Sequence, residues 1–426
     1  MKYFRYLLII IIIISNCSYD KNYNISDNKN KEEYQKPYSN DLISHEMTLG
    51  GENVNLKDEF ILVSPSSYRI RITKDEDILL VDEDIIKVYD KRGIGKKIIG
   101  RQGLGPGEFE GEPFPLLGPE GHILAFTSSG FIYNLFAPDY TFIEKKRLYG
   151  NTRLDAYIKS FGSDFIVQNI REGFPVNEYE KVYSVRFKNK SEAFISIIHE
   201  NSQKIVPILH LKEPGVITTK ESYGFFLYIG MLYWELLPGR RIIYINTDED
   251  KHDEKIGSYY TIHIISIDSN EDKKIIHQFN PIKYPDNLSK KFPLGREFPI
   301  LQKELDKIFK NKKYFPSVEM MTIDGHYAFV FLYKYKDANK KETNNNERFV
   351  DIFDLNNEKF IGSYIFPSRF NTIKYGYAYD GNRDQEGFAE IRKYKINPIV
   401  YGLPEDPDWR TKKWYSIKLY LSLKTI

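Results

Sequence analysis

Residues 77–93 read Asp77-Ile78-Leu79-Leu80-Val81-Asp82-Glu83-Asp84-Ile85-Ile86-Lys87-Val88-Tyr89-Asp90-Lys91-Arg92-Gly93. Two apolar, β-branched runs of strand length flank the polar pair Glu83-Asp84, and a second turn follows at Lys91-Arg92-Gly93. That is a strand, a tight turn, a strand and a turn. The same phrase returns at 122–136 around Ser128-Ser129-Gly130, at 164–168 with 181–187, and at 241–245 with 259–265. It returns again at 327–331 with 348–354 and at 375–379 with 387–394. Leu79, Leu124, Ile166, Ile243, Phe329 and Tyr377 occupy equivalent places. Their steps are about 40–50 residues where the repeat is clean, the period of a four-stranded propeller blade. A blade cannot bury both faces alone, so blades stack around an axis. Six copies predict an all-β, six-bladed β-propeller. A β-sandwich also gives short strands with frequent turns, but the constant order within the phrase favours the propeller.

The composition agrees with a β-rich body. Tyr (33) and Phe (28) are abundant and Ala is scarce, a mix that suits pleated, half-buried surfaces better than helices. With 61 basic and 59 acidic residues the formal charge is +2. Such a balance gives no global electrostatic case for nucleic acid.

The N-terminus reads as an export segment. Lys2 and Arg5 precede the apolar run 7–14, and Ser15-Asn16-Cys17 follows. The run is too short to span a bilayer, which takes about 20 residues. Cys17, the only cysteine, stands where a bacterial lipobox places the residue that is lipidated, although Asn16 occupies a position usually held by Gly, Ala or Ser. An uncleaved anchor and an ordinary cleaved signal are the alternatives, and all three readings export the chain. The expected organisation is a lipoprotein signal peptide at 1–17, a disordered tether at 18–46 and the propeller at 47–426. The tether stretch has almost no aliphatic residues with which to offset chain entropy. The expected partners are therefore a membrane, through the lipid, and a protein, peptide or glycan ligand.

Residues 98–109 carry glycines at 100, 103, 105 and 107 with Pro106. No Gly-Lys-Ser/Thr follows and the spacing does not match a dinucleotide fingerprint, so a tight connection between blades is expected. Val81-Asp82, Val88-Tyr89-Asp90 and Ile99-Gly100-Arg101-Gln102-Gly103-Leu104-Gly105-Pro106-Gly107-Glu108-Phe109 resemble the first blade of the NHL-like six-bladed β-propeller lipoproteins of Bacteroidota and other Gram-negative bacteria. Residues 375–379 and 387–394 resemble the last blade of that group, and the resemblance spans roughly residues 50–400. It implies a fold and an envelope location, with no established reaction and no catalytic residue to carry over. Some NHL-like propellers are lyases or lactonases with a metal at the axis, which is the alternative function.

Eight histidines are scattered without metal-ligand spacing, so no metal or cofactor is predicted. The acidic turns Asp82-Glu83-Asp84 and Asp248-Glu249-Asp250 lack a calcium-loop pattern and read as solvated. No Gly-x-Ser-x-Gly elbow is present. Residues 223–237 form the most apolar stretch of the body. They read as two buried strands or as a contact surface at a propeller mouth carrying Tyr228, Tyr233 and Trp234. Pro299 to Asn311 is predicted helical, with Ile300, Leu301, Leu305, Ile308 and Phe309 on one face. It lies in an insertion at about 281–316, the kind of excursion where repeat folds meet partners. Trp409 and Trp414, in a tail expected to wrap onto the body, complete the candidate binding residues.

Overall fold

The computed structural model describes residues 42–51, 58–118, 121–126, 132–147, 165–172, 180–187, 192–199, 204–219, 223–253, 255, 257–284, 294, 298–333, 347–404 and 408. Cys17, the export segment, the tether up to residue 41, Trp409 and Trp414 lie outside the described residues.

Among the described residues the strands form five four-stranded sheets, one five-stranded sheet and one two-stranded ribbon. Sheet I comprises Arg71–Ile72, Ile78–Asp82, Ile85–Tyr89 and Gly95–Ile99. Sheet II comprises Phe114–Leu117, Ile123–Phe126, Ile132–Phe136 and Phe142–Arg147. Sheet III comprises Phe165–Glu172, Glu180–Phe187, Glu192–His199 and Lys204–Lys212. Sheet IV runs Leu232–Leu237, Arg241–Asn246, Gly257–Ser266 and Asp272–Phe279, with Lys251–Asp253 also pairing with its third strand. Sheet V comprises Val318–Asp324, Tyr327–Leu332, Arg348–Asp354 and Lys359–Phe366. Sheet VI takes Thr372–Lys374, Tyr377–Arg383 and Ala389–Ile396 from the end of the chain and Ile43–Gly50 from its beginning. All strand pairings are antiparallel, and the first strand of each sheet abuts the first strand of the next in chain order. Sheets stacked face to face with their first strands in succession are the architecture of a β-propeller.

The packing explains why the strands read as continuous apolar runs. On Ile78–Asp82, Ile78 and Leu80 enter a core shared by sheets V, VI and I, while Leu79 and Val81 enter the core between sheets I and II. On Tyr327–Leu332, Tyr327, Phe329 and Phe331 join the first core, while Ala328 and Val330 pack against sheet IV. Successive side chains leave a strand on opposite faces, and here both faces are covered. Each fully buried Val, Leu, Ile or Phe among them contributes about 1.5–3 kcal/mol. Trp234 and Tyr244 of sheet IV meet Ile195 of sheet III in a further inter-sheet core.

Three expectations are corrected. The stretch expected to be tether through residue 46 gives way to a strand at Ile43, whose Ile43 and Leu49 are buried in sheet VI. The polarity of Ser44, His45 and Glu46 concealed it, because an outermost strand needs only part of its length apolar. Ile166, expected in a place equivalent to Leu79, Leu124, Ile243, Phe329 and Tyr377, lies on the first strand of sheet III, whereas those five lie on the second strands of their sheets. Residues 223–237 form not two blade strands but the short strand Tyr223–Phe225, a 3-10 turn and the first strand of sheet IV. Gly230, with φ 145°, separates the last two.

The segment between sheets I and II is the expected tight connection. Gly100 (φ 78°) and Gly107 (φ 73°) adopt backbone open chiefly to glycine. A Cβ on Gly100 would lie 2.1 Å from the Phe109 ring, which is fully buried between the two sheets.

Candidate functional site

In each antiparallel sheet, the turn between the second and third strands lies at the same end as the segment leading into the first strand. Those segments together make one rim of the stack, called here the leading rim. The two-stranded ribbon Val216–Thr218 and Tyr223–Phe225, the insertion between sheets IV and V, and the loop 247–253 all lie on it.

The insertion carries the helix Pro299–Asn311, α1, the one α-helix among the described residues. Pro299 takes its first position, where a missing N–H costs nothing. Leu301 and Leu305 are buried against Ile217, Phe226 and Ile229 of the ribbon segment. The expected apolar face is therefore real at these positions, whereas Ile300 remains 47% exposed. Tyr228 stacks on Phe309 at 5.7 Å between centroids, and the Tyr284 hydroxyl donates to the Tyr228 carbonyl at 2.7 Å. The Tyr333 hydroxyl reaches from sheet V to the Leu227 carbonyl at 2.8 Å. An aromatic cap thus covers the leading rim over sheets IV and V, with Leu227 and Ile300 at its surface.

Of the residues expected at a contact surface, Tyr228 belongs to this cap. Tyr233 and Trp234 do not share its surface. The Tyr233 hydroxyl donates to the Glu319 carbonyl at 2.7 Å, joining the first strands of sheets IV and V, and burial raises its pKa well beyond the ordinary phenol value. Trp234 is 5% exposed in the core between sheets III and IV. The strand Leu232–Leu237 alternates between cores, which turns Trp234 into the packing of sheets III and IV and Tyr233, half-buried, toward the packing of sheets IV and V.

The acidic turns are solvated only in part, against the expectation that they are wholly so: Glu83 and Asp248 are exposed, but several of the carboxylates hold specific partners. Asp82 is buried and accepts from the Ser64 N–H at 2.7 Å and from the Lys87 ammonium at 2.7 Å. Asp248 pairs with Lys212 at 2.8 Å and with Lys312 of the insertion at 3.2 Å. Asp250 accepts from the Ser317 N–H and hydroxyl, both at 2.8 Å, and burial pushes its pKa up to about 7 against the pull of those bonds and of Lys312. Glu249 lies 2.9 Å from His263 Nε2, whose Nδ1 lies 2.9 Å from Asp272, while the ring stacks on Tyr244 at 4.3 Å. These are clasps between loops and sheets, legible only once the strands are paired.

Ion pairs near the first strands link neighbouring sheets. Arg69 pairs with Glu112 at 3.0 Å and lies over the Phe114 ring, linking sheets I and II. Glu319 pairs with Arg369 at 3.0 Å and with Arg348 at 3.4 Å, linking sheets V and VI. Among the described residues, no three His, Cys, Asp or Glu side chains converge as metal ligands do.

At the junction of sheets VI and I the leading rim opens into a cleft of about 340 Å³. Ser64, Pro65 and Ser67 line it from the segment entering sheet I, and Gly381, Asn382, Arg383 and Ala389 from the second hairpin of sheet VI. A Cβ on Gly381 would lie 2.7 Å from Ser67 Cβ, so glycine is what lets the two walls approach. Sequence reasoning missed this cleft, since its walls are more than 300 residues apart and carry no motif.

No family model matches the chain, and no curated protein matches it. Solved structures are similar at low identity. A candidate exported protein of Bacteroides fragilis is 13% identical, with 83% of this chain and 95% of that chain covered and a TM-score of 0.45. The β-propeller domain of the trilobed protease of Pyrococcus furiosus is 9% identical over 76% of this chain and 80% of that one, with a TM-score of 0.33. Virginiamycin B lyase of Staphylococcus aureus is 14% identical over 61% of this chain and 75% of that one, with a TM-score of 0.24. Likeness at this level assigns no activity. Among the described residues no helix is long and apolar enough to cross a membrane.

Proposed function

We propose that this chain is a six-bladed β-propeller, exported and lipid-anchored at Cys17, that works as a binding module through its leading rim. Each of sheets I to VI is one blade in this reading, and the strand Ile43–Gly50 closes the ring by completing the last one. The observation that carries the binding reading is the elaboration of one rim. The ribbon, α1 and the aromatic cap lie there, and so does the cleft between sheets VI and I. The opposite rim has short turns, such as Gly325-His326 and 238–240. Repeat scaffolds place their recognition insertions on one face. A protein, peptide or glycan of the envelope is the ligand class.

Two measurements test the reading. Mass spectrometry of the mature N-terminus is expected to find a diacyl- or triacyl-modified Cys17, and an unmodified thiol removes the anchor. Affinity capture from native envelope is expected to retain a partner with the wild-type protein and to lose it with Leu227→Glu combined with Ile300→Glu. Capture that is indifferent to both substitutions and to Arg383→Gln counts against the leading rim.

A further inference from the structure

We infer that the cleft between sheets VI and I is a subsite for an acidic sugar, a pyranose ring bearing a carboxylate. The inference rests on the binding reading above and names its ligand chemistry.

Its volume, about 340 Å³, stands at the small end of ligand clefts, which run from about 300 to 1,000 Å³. It therefore suits one sugar ring better than an extended peptide. Two hydroxyls, Ser64 and Ser67, and the Asn382 amide line it. Such groups both donate and accept, as a ring of sugar hydroxyls requires. The half-buried pyrrolidine of Pro65 offers apolar surface for the C–H face of the ring.

Arg383 supplies the charge. The nearby arginines are paired with carboxylates: Arg69 with Glu112, Arg369 with Glu319 and Arg392 with Glu390. The Arg383 guanidinium instead donates to the Gly387 carbonyl at 2.7 Å, and among the described residues no carboxylate lies within ion-pair distance of it. One hydrogen bond leaves most of its five N–H groups available, and their planar fork matches a carboxylate in bidentate geometry. The backbone N–H of Arg383 donates to the Asn382 side-chain oxygen at 2.8 Å, which leaves the Asn382 NH₂ group to donate to a ligand. The close approach of Gly381 to Ser67 forms the floor where the walls meet.

Titration calorimetry of the full-length protein in detergent with D-glucuronic acid, D-glucose and inorganic phosphate tests the inference. Saturable binding of D-glucuronic acid is expected, with no binding of D-glucose at the same concentrations and no competition by phosphate. Arg383→Gln is expected to weaken D-glucuronic acid by about tenfold or more, and Ser67→Ala and Asn382→Ala by a few-fold each. Arg383 is exposed on a hairpin, so an unchanged melting temperature should accompany the loss. Unaltered affinity in Arg383→Gln, equal binding of D-glucose, displacement by phosphate, tighter binding of an acetylated peptide through its C-terminal carboxylate, or no heat at all would overturn it. If envelope capture still depends on the leading rim when D-glucuronic acid fails to bind, only the sugar subsite falls. If no rim-dependent partner exists, the binding reading itself falls.

Discussion

The Thr372 hydroxyl donates a hydrogen bond to the Ile70 carbonyl at 3.1 Å across 302 residues of sequence. It ties the first strand of sheet VI to the segment entering sheet I, so the last sheet meets the first. The strand Ile43–Gly50 reinforces the junction from the outer edge of sheet VI, with Leu49 2% exposed. Leu49→Ala is expected to lower global stability by about 2–4 kcal/mol, through lost burial and an unfilled cavity. Urea denaturation reads this as one cooperative transition at a lower midpoint. Loss of sheet VI alone, with the rest intact, would show that the two ends of the chain are not coupled through the contact of sheets VI and I.

Asp82 and Lys87 form a buried pair, with side chains 1% and 5% exposed. Lys87 also donates to the Ile61 carbonyl, and Asp82 to Ser64 contacts hold the same entering segment. Lys87→Met strands a buried carboxylate and is expected to cost about 3–5 kcal/mol. Lys87→Met with Asp82→Asn is expected to recover part of that loss, which a double-mutant cycle in denaturant measures. Equal costs for the single and double variants would deny the coupling.

The pKa of Asp250, pushed up to about 7 by burial, gives an unusual pH dependence. Its ordinary value is 3.8, so between roughly pH 4 and 7 the folded state holds a proton that the unfolded chain has lost. The state that binds more protons is favoured at lower pH. The Asp250 contribution is therefore present below that window, falls as pH rises through it and levels off above about 7. Subtracting the stability profile of Asp250→Asn from that of the wild type is expected to isolate this decline. A difference that is flat from pH 4 to 8 would rule it out.

The aromatic cap depends on Leu305, fully buried between α1 and the ribbon segment. Leu305→Ala is expected to speed amide exchange in 216–229 and 299–311 while leaving sheets I and VI unchanged, because the cap packs around its own cluster. Exchange that rises equally everywhere would make the cap part of the global core.

Much of this architecture is legible in the sequence because both faces of a blade are buried. That condition turns strands such as Ile78–Asp82 and Tyr327–Leu332 into unbroken apolar runs, and the polar turns between them set the period. The helix Pro299–Asn311 is legible for the same reason, by its spacing of Leu301 and Leu305. The strand Ile43–Gly50 is not, because an outermost strand is apolar only where it meets the core. The third repeat slips by one strand because the apolar run at 165–167 resembles a second strand.

The site is less legible than the fold. Tyr233 and Trp234 read from the sequence as either buried strand or contact surface, and strand alternation turns them toward inter-sheet packing. The cleft walls, Ser67 and Arg383, are 316 positions apart by their residue numbers. Only the contact between sheets VI and I brings them together, and neither carries a local pattern. The same is true of Asp250 and Ser317, whose pairing follows from the contact between sheets IV and V.

The central claim is that one rim of the propeller binds a partner. A photo-crosslinking residue at Asn382, on the leading rim, compared with one at Asn270, in the turn between the third and fourth strands of sheet IV on the opposite rim, tests it most directly in native envelope. The result expected is a discrete adduct from position 382 and none from position 270. Equal adducts from both positions, an adduct from 270 alone, or none from either would contradict it.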